Sequence, residues 1–475
     1  MYDIIVIGAG IIGTSIAREL SKYKLRVCVL DKDTDVSNGT TKANSAIVHG
    51  GYDAEEGTLM AKYNVIGNKM YESLCKELFV PFKKNGSLVL AFNNDDLKHL
   101  ETLLERGKKN GVNDLEIIDQ KKLRELEKNV DENAIGALYC KCAGIVSPWE
   151  LAENLMDNAV ENGVELYLGT EVIGIKKEDD YFKIETTKGE FIGKKILNCA
   201  GVNTDIIHNL IAPESYKINP RKGEYFVLDK SQGKRVEHTI FQCPSELGKG
   251  ILVTPTVHGN LLVGPDAQDI DDRDDLSTST EKLEYIKYKG SHSIHGINFR
   301  ENIRTFAGVR SESDRGDFIV EESDVKGFYD IAGIKSPGLT AAPGIALGVI
   351  ELLKNSDCSF EEKTDFILPT EHKIFMDLTA EEKSKKIKED NRFGRVICRC
   401  EMITEGEIIE AINRPVKATT VDAIKRRCRP GSGRCQGGFC GPRVQEILAK
   451  ELNINMTDVI LDKGNSYILV EELKK

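Results

Sequence analysis

The chain has 475 residues, with 65 Lys and Arg against 76 Asp and Glu, a formal net charge of -11. That length allows two or three domains with buried cores, and the acidic balance argues against nucleic acid as the main partner. Of its 12 cysteines, Cys28, Cys75, Cys140, Cys142, Cys199, Cys243 and Cys358 are scattered and the rest crowd the last fifth of the chain, a pattern of one ligand cluster in a reducing compartment rather than of disulfides.

Met1-Tyr2-Asp3 leads directly into Ile4-Ile5-Val6-Ile7, so no signal peptide is read and a soluble, cytoplasmic protein is expected. The apolar run reads as a buried strand. It is followed by Gly8-Ala9-Gly10-Ile11-Ile12-Gly13, then by the helical spacing of Ile16, Ala17 and Leu20, and by a second strand over residues 26–30 that ends in Asp31. In this order the glycines have separate tasks. Gly8 permits a tight turn, Gly10 lets a pyrophosphate approach the backbone, and Gly13 lets helix and strand pack closely, while Asp31 can accept hydrogen bonds from a ribose diol. A nicotinamide-binding domain would continue as further βα units. This chain runs instead into a small, polar loop, residues 39–52, which carries His49 and suits close passage along a flavin.

Cys140-Lys141-Cys142 has no partner pair and is expected to be strand with ordinary thiols, and Trp149, after Pro148 at a helix start, to be a packing residue. Residues 196–201, Ile-Leu-Asn-Cys-Ala-Gly, read as a strand ending in small residues where backbone could again approach a cofactor. Residues 225–228, 250–253 and 260–263 alternate as antiparallel strands covering the flavin, with His258 in a solvated turn and an acidic loop over 266–275. Arg310 ends another strand pattern, where a guanidinium could grip a carboxylate or phosphate in bidentate fashion. Residues 329–333 lead into Ser336-Pro337-Gly338 and an apolar helix whose N-terminus would face the electron-rich side of a reduced ring. The longest apolar stretch, 339–353, is too short to span a bilayer, which leaves only peripheral membrane contact open.

Residues 371–390 are charged and lysine-rich, as in a surface helix or linker. Beyond them stand Cys398-Arg399-Cys400 and Cys435-Gln436-Gly437-Gly438-Phe439-Cys440. Two close thiolate pairs suit an iron-sulfur centre, each pair supplying one side of it, with zinc as the rival metal. Between the pairs, residues 404–412 and 420–425 read as short helices, the first opened by a Thr404/Glu407 capping box. Gly431, Gly433, Gly437 and Gly438 would let backbone amides turn toward sulfur. Cys428 would be a fifth thiolate and is not assigned as a ligand.

These motifs together resemble the FAD-dependent D-amino-acid-oxidase-type superfamily, most closely its glycerol-3-phosphate dehydrogenase and L-2-hydroxyglutarate oxidase branch. The matching segments are G-A-G-I-I-G, T-K-A-N-S-A-I-V-H-G-G-Y-D, N-C-A-G, N-P-R-K-G-E-Y-F and G-I-K-S-P-G-L-T-A-A-P, spread over residues 1 to 360. The C-terminal I-C-R-C-E and G-R-C-Q-G-G-F-C-G-P are similar to the bacterioferritin-associated-ferredoxin-like [2Fe-2S] module, though the second pair is spaced more widely than that ferredoxin's C-x-x-C. The fold implied is α/β. A discontinuous Rossmann-like FAD-binding domain (1–85, 145–215 and 305–360) would combine with an α+β substrate domain (86–144 and 216–304), a linker (361–391) and a small helical [2Fe-2S] domain (392–475).

The resemblance implies FAD contacts from Gly8, Ala9, Gly10, Ile12 and Gly13, from Asp31 and Lys32, and from Thr40, Thr41, Asn44 and Ser45. Val172, Ala200 and Gly201 would add a second edge, and Gly333, Gly338, Leu339 and Thr340 a third. Cys398, Cys400, Cys435 and Cys440 would hold the [2Fe-2S] cluster. Oxidising a secondary alcohol needs a base for the hydroxyl proton while hydride leaves for the flavin, and His49 is the candidate. Arg310 would bind the substrate anion, with Lys222 and Ser336 as further catalytic candidates. The implied activity is oxidation of sn-glycerol 3-phosphate to dihydroxyacetone phosphate, electrons passing through the cluster to an acceptor protein or a partner flavoprotein subunit. The alternatives are an L-2-hydroxyglutarate or other 2-hydroxy acid dehydrogenase or oxidase, an amine or amino-acid oxidase, and a non-catalytic flavoprotein subunit.

Overall fold

The first strand, β1 (Tyr2–Ile7), is apolar throughout because both of its faces are covered. Ile4 and Val6 pack with Ile16, Ala17 and Leu20 of α1 (Ile11–Leu20), while Ile5 and Ile7 pack with Phe182, Ile184 and Phe328 on the other side. In this computed structural model, which describes residues 1–243, 250–356, 359–371 and 373–471, β1 lies inside an eight-stranded sheet. It pairs in parallel with β2 (Val27–Leu30) on one side and with the end of Gly189–Asn198 on the other. Phe328–Ala332 extends the parallel set beyond Gly189–Asn198, so strands distant in sequence deliver their C-terminal ends to one edge of the sheet. Cys358 lies outside the described residues, as do residues 472–475 of the expected C-terminal domain.

A nine-stranded, mostly antiparallel sheet stands over that edge. It holds the expected strands as Ile218–Leu228, Leu252–Pro255 and Leu261–Gly264, and its core includes Leu88, Phe226, Ile240, Val253 and Val263. Asn302–Ser313 pairs with Ile218–Leu228 along nearly its whole length. A boundary at residue 305 would cut through this strand, which belongs entirely to the second sheet. The acidic loop over 266–275 also departs from expectation, since Gln268–Asp269 adds a short edge strand to Arg221 and Lys222.

Two helices bind the layers together. The helix Gly338–Lys354 crosses α2 (Leu59–Glu77) so closely that a Cβ on Gly67 would fall 1.9 Å from the Thr340 carbonyl oxygen. Only glycine allows that approach. After the surface helix Ala380–Glu389, whose Thr379/Glu382 capping box fixes its start, the last domain is built from Glu405–Ile412, Val421–Cys428 and Gly441–Leu452 around Ile408, Ile412, Ile424 and Leu448. Thr404 and Glu407 form the expected capping box, and Thr420 caps the next helix by accepting from the Ala423 N–H.

This last domain docks on the segment that follows β2. Arg426 and Arg427 both reach the buried Asp35 carboxylate at 2.7 to 2.8 Å, and Lys42 pairs with Asp462 at 2.6 Å. Burial alone would raise Asp35, but the two guanidiniums outweigh it and hold the carboxyl at about 2. Glu153 stands 3.6 Å from Arg427 with no hydrogen bond of its own, and burial pushes it up to about 8. Among the described residues no helix is long and apolar enough to cross a membrane.

Candidate active site and cluster site

A cavity of about 1690 Å³ runs between the two sheets from Asp31 to His49 and onward to the arginines of the second sheet. Its nucleotide end is shaped by the fingerprint. Gly8 has φ +107°, and a Cβ there would lie 2.4 Å from the Cys199 carbonyl oxygen, so a side chain at this position would collide with the end of the neighbouring strand. A Cβ on Gly13 would meet the Gly8 carbonyl at 1.9 Å, which explains the third glycine as a helix–strand contact. Gly10, Ile11 and Ile12 line the cavity at the start of α1, and Thr41 accepts the Ile11 N–H at 2.9 Å. Ala9 and Gly13 are not among the lining residues.

Asp31 lines the cavity as expected, and its carboxylate accepts from the N–H groups of Ala9 (2.6 Å) and Asp33 (2.8 Å). Burial pushes it up to about 6 despite those donors. Lys32, Thr40, Thr41, Asn44 and Ser45 also line the cavity, as do Val172, Ala200 and Gly201. At the far end Gly333, Ser336, Gly338 and Leu339 surround the start of the helix Gly338–Lys354. A long cleft edged by turns that admit only glycine, with a helix N-terminus near each end, fits FAD. Thr340 does not line it; its hydroxyl lies behind His49.

His49 is held by its backbone. Its N–H donates to Thr340 Oγ1 at 2.8 Å, and its carbonyl accepts from Asn64 Nδ2 at 3.2 Å and Asn68 Nδ2 at 3.0 Å. The half-buried ring faces the cavity beside Phe241, with ring centroids 5.9 Å apart, and Ser336 Oγ is 3.4 Å from Nε2. His49 and Ser336 are therefore neighbours, although 287 residues separate them in sequence.

Arg310 also reaches the cavity, its Nη2 donating to the Asp266 carbonyl at 2.8 Å. Lys222 does not. Successive residues of a strand face opposite sides, and Lys222 turns away from the cavity to pair with Asp275 at 2.6 Å. Its neighbour Arg221 takes the cavity side, directly across from Arg310 in the antiparallel ladder. Arg221 was hidden in the sequence by the Lys beside it, and strand parity was the signal that separates them. Tyr225 was missed as well; its hydroxyl lies 3.1 Å from Ser45 Oγ. His258 is not solvated but bonded through Nε2 to Glu150 Oε1 at 2.6 Å, and Trp149 lines the cavity wall.

The four C-terminal thiols meet at the base of the helix Gly441–Leu452. Cys400 and Cys435 have sulfurs 3.6 Å apart, and Cys398 is hydrogen-bonded to Cys440. Each close pair thus takes one sulfur from C-R-C and one from the second motif, which corrects the expectation that each sequence pair supplies one side. The Cys440 contact, with backbone N–H groups of Gly431, Glu401 and Cys400, lowers Cys398 to about 6 against the opposing effect of burial. Among the described residues no three His, Cys, Asp or Glu side chains are grouped as a site for a single ion. Two pairs of thiolates suit two irons with two ligands each. Cys428 is turned away, donating to the Ile424 carbonyl.

Comparison with known proteins shows the family. Residues 3–352 match the FAD dependent oxidoreductase family, and residues 396–450 match the BFD-like [2Fe-2S] binding domain. The chain is 52% identical over 477 residues to a glycerol 3-phosphate dehydrogenase of Caloramator mitchellensis, covering 100% of this chain and 99% of the relative. It is 34% identical to a glycerol 3-phosphate oxidase of Mycoplasma genitalium, over 74% of this chain and 94% of that one. Among solved structures, dithionite-reduced L-alpha-glycerophosphate oxidase from Mycoplasma pneumoniae with FAD bound superposes with a TM-score of 0.74 at 30% identity, covering 77% of this chain and 97% of that one. The chain belongs to the FAD-dependent oxidoreductase family, as a glycerol-3-phosphate-dehydrogenase-like enzyme with a C-terminal BFD-like [2Fe-2S] domain.

Proposed function

We propose that this enzyme oxidises sn-glycerol 3-phosphate to dihydroxyacetone phosphate, with His49 as base and Arg221 and Arg310 as the phosphate clamp. The observation that carries the reading is that these three residues line one cavity, with the two arginines directly opposite each other in the ladder. Like charges directly opposite in an antiparallel ladder are destabilising. Glu312 and Asp269 stand 3.8 and 3.6 Å from Arg221 and offset part of that cost. A bound dianion would neutralise the rest.

His49 takes the C2 hydroxyl proton at a ring nitrogen, and the bonds to its own N–H and carbonyl keep the ring from following the substrate. Ser336, beside Nε2, can hold the ring orientation. Bound FAD supplies the two-electron acceptor for the hydride, and the [2Fe-2S] centre a one-electron carrier from which an acceptor protein is served. None of the described cysteines is in a disulfide, which suits a reducing cytoplasm.

Anaerobic mixing with sn-glycerol 3-phosphate tests the reading, because the flavin absorbance should bleach. His49→Asn should keep its yellow colour and lose the bleaching. An arginine pair also suits a dicarboxylate, so L-2-hydroxyglutarate is the comparison substrate. Bleaching by L-2-hydroxyglutarate alone would reject the proposed substrate.

A further inference from the structure

Cys140 ends the strand Gly136–Cys140, and Cys142 lies two residues beyond it. Sequence suggested two ordinary thiols, yet the fold brings their sulfurs to 3.5 Å from each other. Both lie against Gly50, the residue after His49. A Cβ on Gly50 would fall 2.1 Å from the Cys140 sulfur and 3.4 Å from that of Cys142, and the Cys142 sulfur is 3.9 Å from the Gly50 carbonyl oxygen. Asn68 ties the same segments together, its Nδ2 donating to the carbonyls of His49 and Cys142 at 3.0 Å each. The dithiol is therefore the floor under the loop that presents His49.

We infer that Cys140 and Cys142 form a reversible disulfide site, at which a hydroperoxide modifies the enzyme and displaces the His49 loop. The two sulfurs are unequal in a way that suits this chemistry. Cys142 is half-buried while Cys140 is buried. The hydrogen bond between the two sulfurs, in which either can be the donor, is the largest influence lowering the Cys142 thiol, with Lys84 acting the same way against burial and Asp114; the same bond, with burial, raises Cys140. Cys142 is the reachable thiolate and Cys140 the resolving thiol.

The Cys142 thiolate attacks one oxygen of the hydroperoxide and breaks the O–O bond; the other oxygen leaves with a proton as an alcohol, or as water from hydrogen peroxide. The Cys142 sulfenic acid is then attacked by the Cys140 sulfur, and its hydroxyl departs as water with the Cys140 proton. In sum the thiols lose two electrons and two protons, and the hydroperoxide is reduced. A disulfide needs sulfurs about 2.05 Å apart, so the pair must close beneath Gly50, where there is no side chain to absorb the movement. A displacement of about 1 Å at a catalytic group can lower a rate by ~10- to 100-fold. This second half rests on His49 as the base; the disulfide itself does not.

The test treats anaerobic holoenzyme with hydrogen peroxide, alkylates the remaining thiols and weighs the peptide carrying residues 140 and 142. Expected is a peptide two hydrogens lighter and unalkylated, restored by dithiothreitol, with Cys140→Ser instead trapping a dimedone-reactive sulfenic acid at Cys142. Flavin bleaching by sn-glycerol 3-phosphate should fall ~10- to 100-fold in the oxidised protein and recover on reduction. Cys142→Ser, treated identically, should keep its rate; an equal loss there would assign the effect to cluster damage and overturn the coupling. If both cysteines of the wild type stay open to alkylation, the site is overturned. A disulfide that forms without slowing bleaching overturns its link to the loop. Should His49→Asn bleach at the wild-type rate, the fault lies in the role of His49, and the mass measurement still decides the site.

Discussion

Arg221 and Arg310 face each other across two antiparallel strands, with their side chains on the cavity side of the sheet. If they hold the substrate phosphate, removing one costs a charge-assisted hydrogen bond of about 1.5–3 kcal/mol. Arg221→Ala should raise KM for sn-glycerol 3-phosphate by roughly 10- to 100-fold while flavin content is unchanged. Steady-state kinetics with an artificial electron acceptor measure this, and a KM equal to that of the wild type would remove Arg221 from the clamp.

Gly8→Ala places a Cβ against the Cys199 carbonyl at a backbone φ of +107°. Positive φ and the close contact both oppose it, at a cost of about 1–3 kcal/mol. The purified variant should carry much less flavin, read from the absorbance ratio of the flavin band to protein. Full flavin content would mean that this turn can relax without losing its ligand.

The Asp35 clasp should behave as a buried ion pair. Arg427→Ala leaves Asp35 and Glu153 with one guanidinium in place of two, and breaking a buried pair typically costs about 3–5 kcal/mol. Calorimetry should record the loss, and limited proteolysis should cut faster between residues 361 and 391 as the last domain loosens.

Glu153 gives the pH dependence its sign. Unfolded, it ionises near ~4.3; folded, burial holds it protonated until about 8. The folded form therefore binds the extra proton between those values, and stability falls as pH rises through that window. Glu153→Gln cannot ionise, so its melting temperature should match the wild type near pH 5 and exceed it increasingly toward pH 8. Parallel melting curves across that range would contradict the assignment.

How much could be read from sequence follows from the distance over which each feature acts. The Gly8 turn, the Asp31 strand end and the Thr404/Glu407 box are local, and their residue types alone announce them. Strand parity, which turns Lys222 away and brings Arg221 in, needed the register with residue 310. The same register moved Asn302–Ser313 wholly into the second sheet. Long-range contacts left no local mark: His258 with Glu150, the crossed thiol pairs, and the arginines on Asp35 all join segments far apart in the chain. The solvated reading of His258 failed for that reason.

The Arg427–Asp35 contact also bears on modularity. Asp35 and Glu153 belong to the flavin-binding part, yet the guanidiniums beside them are made only when residues 426 and 427 are translated. A truncated chain that stops before the iron-sulfur domain would keep both carboxyl groups but lose these two cations and the side chains that cover them. The [2Fe-2S] domain is thus no detachable accessory, and the first 390 residues expressed alone are a different stability problem from the same residues in the whole enzyme.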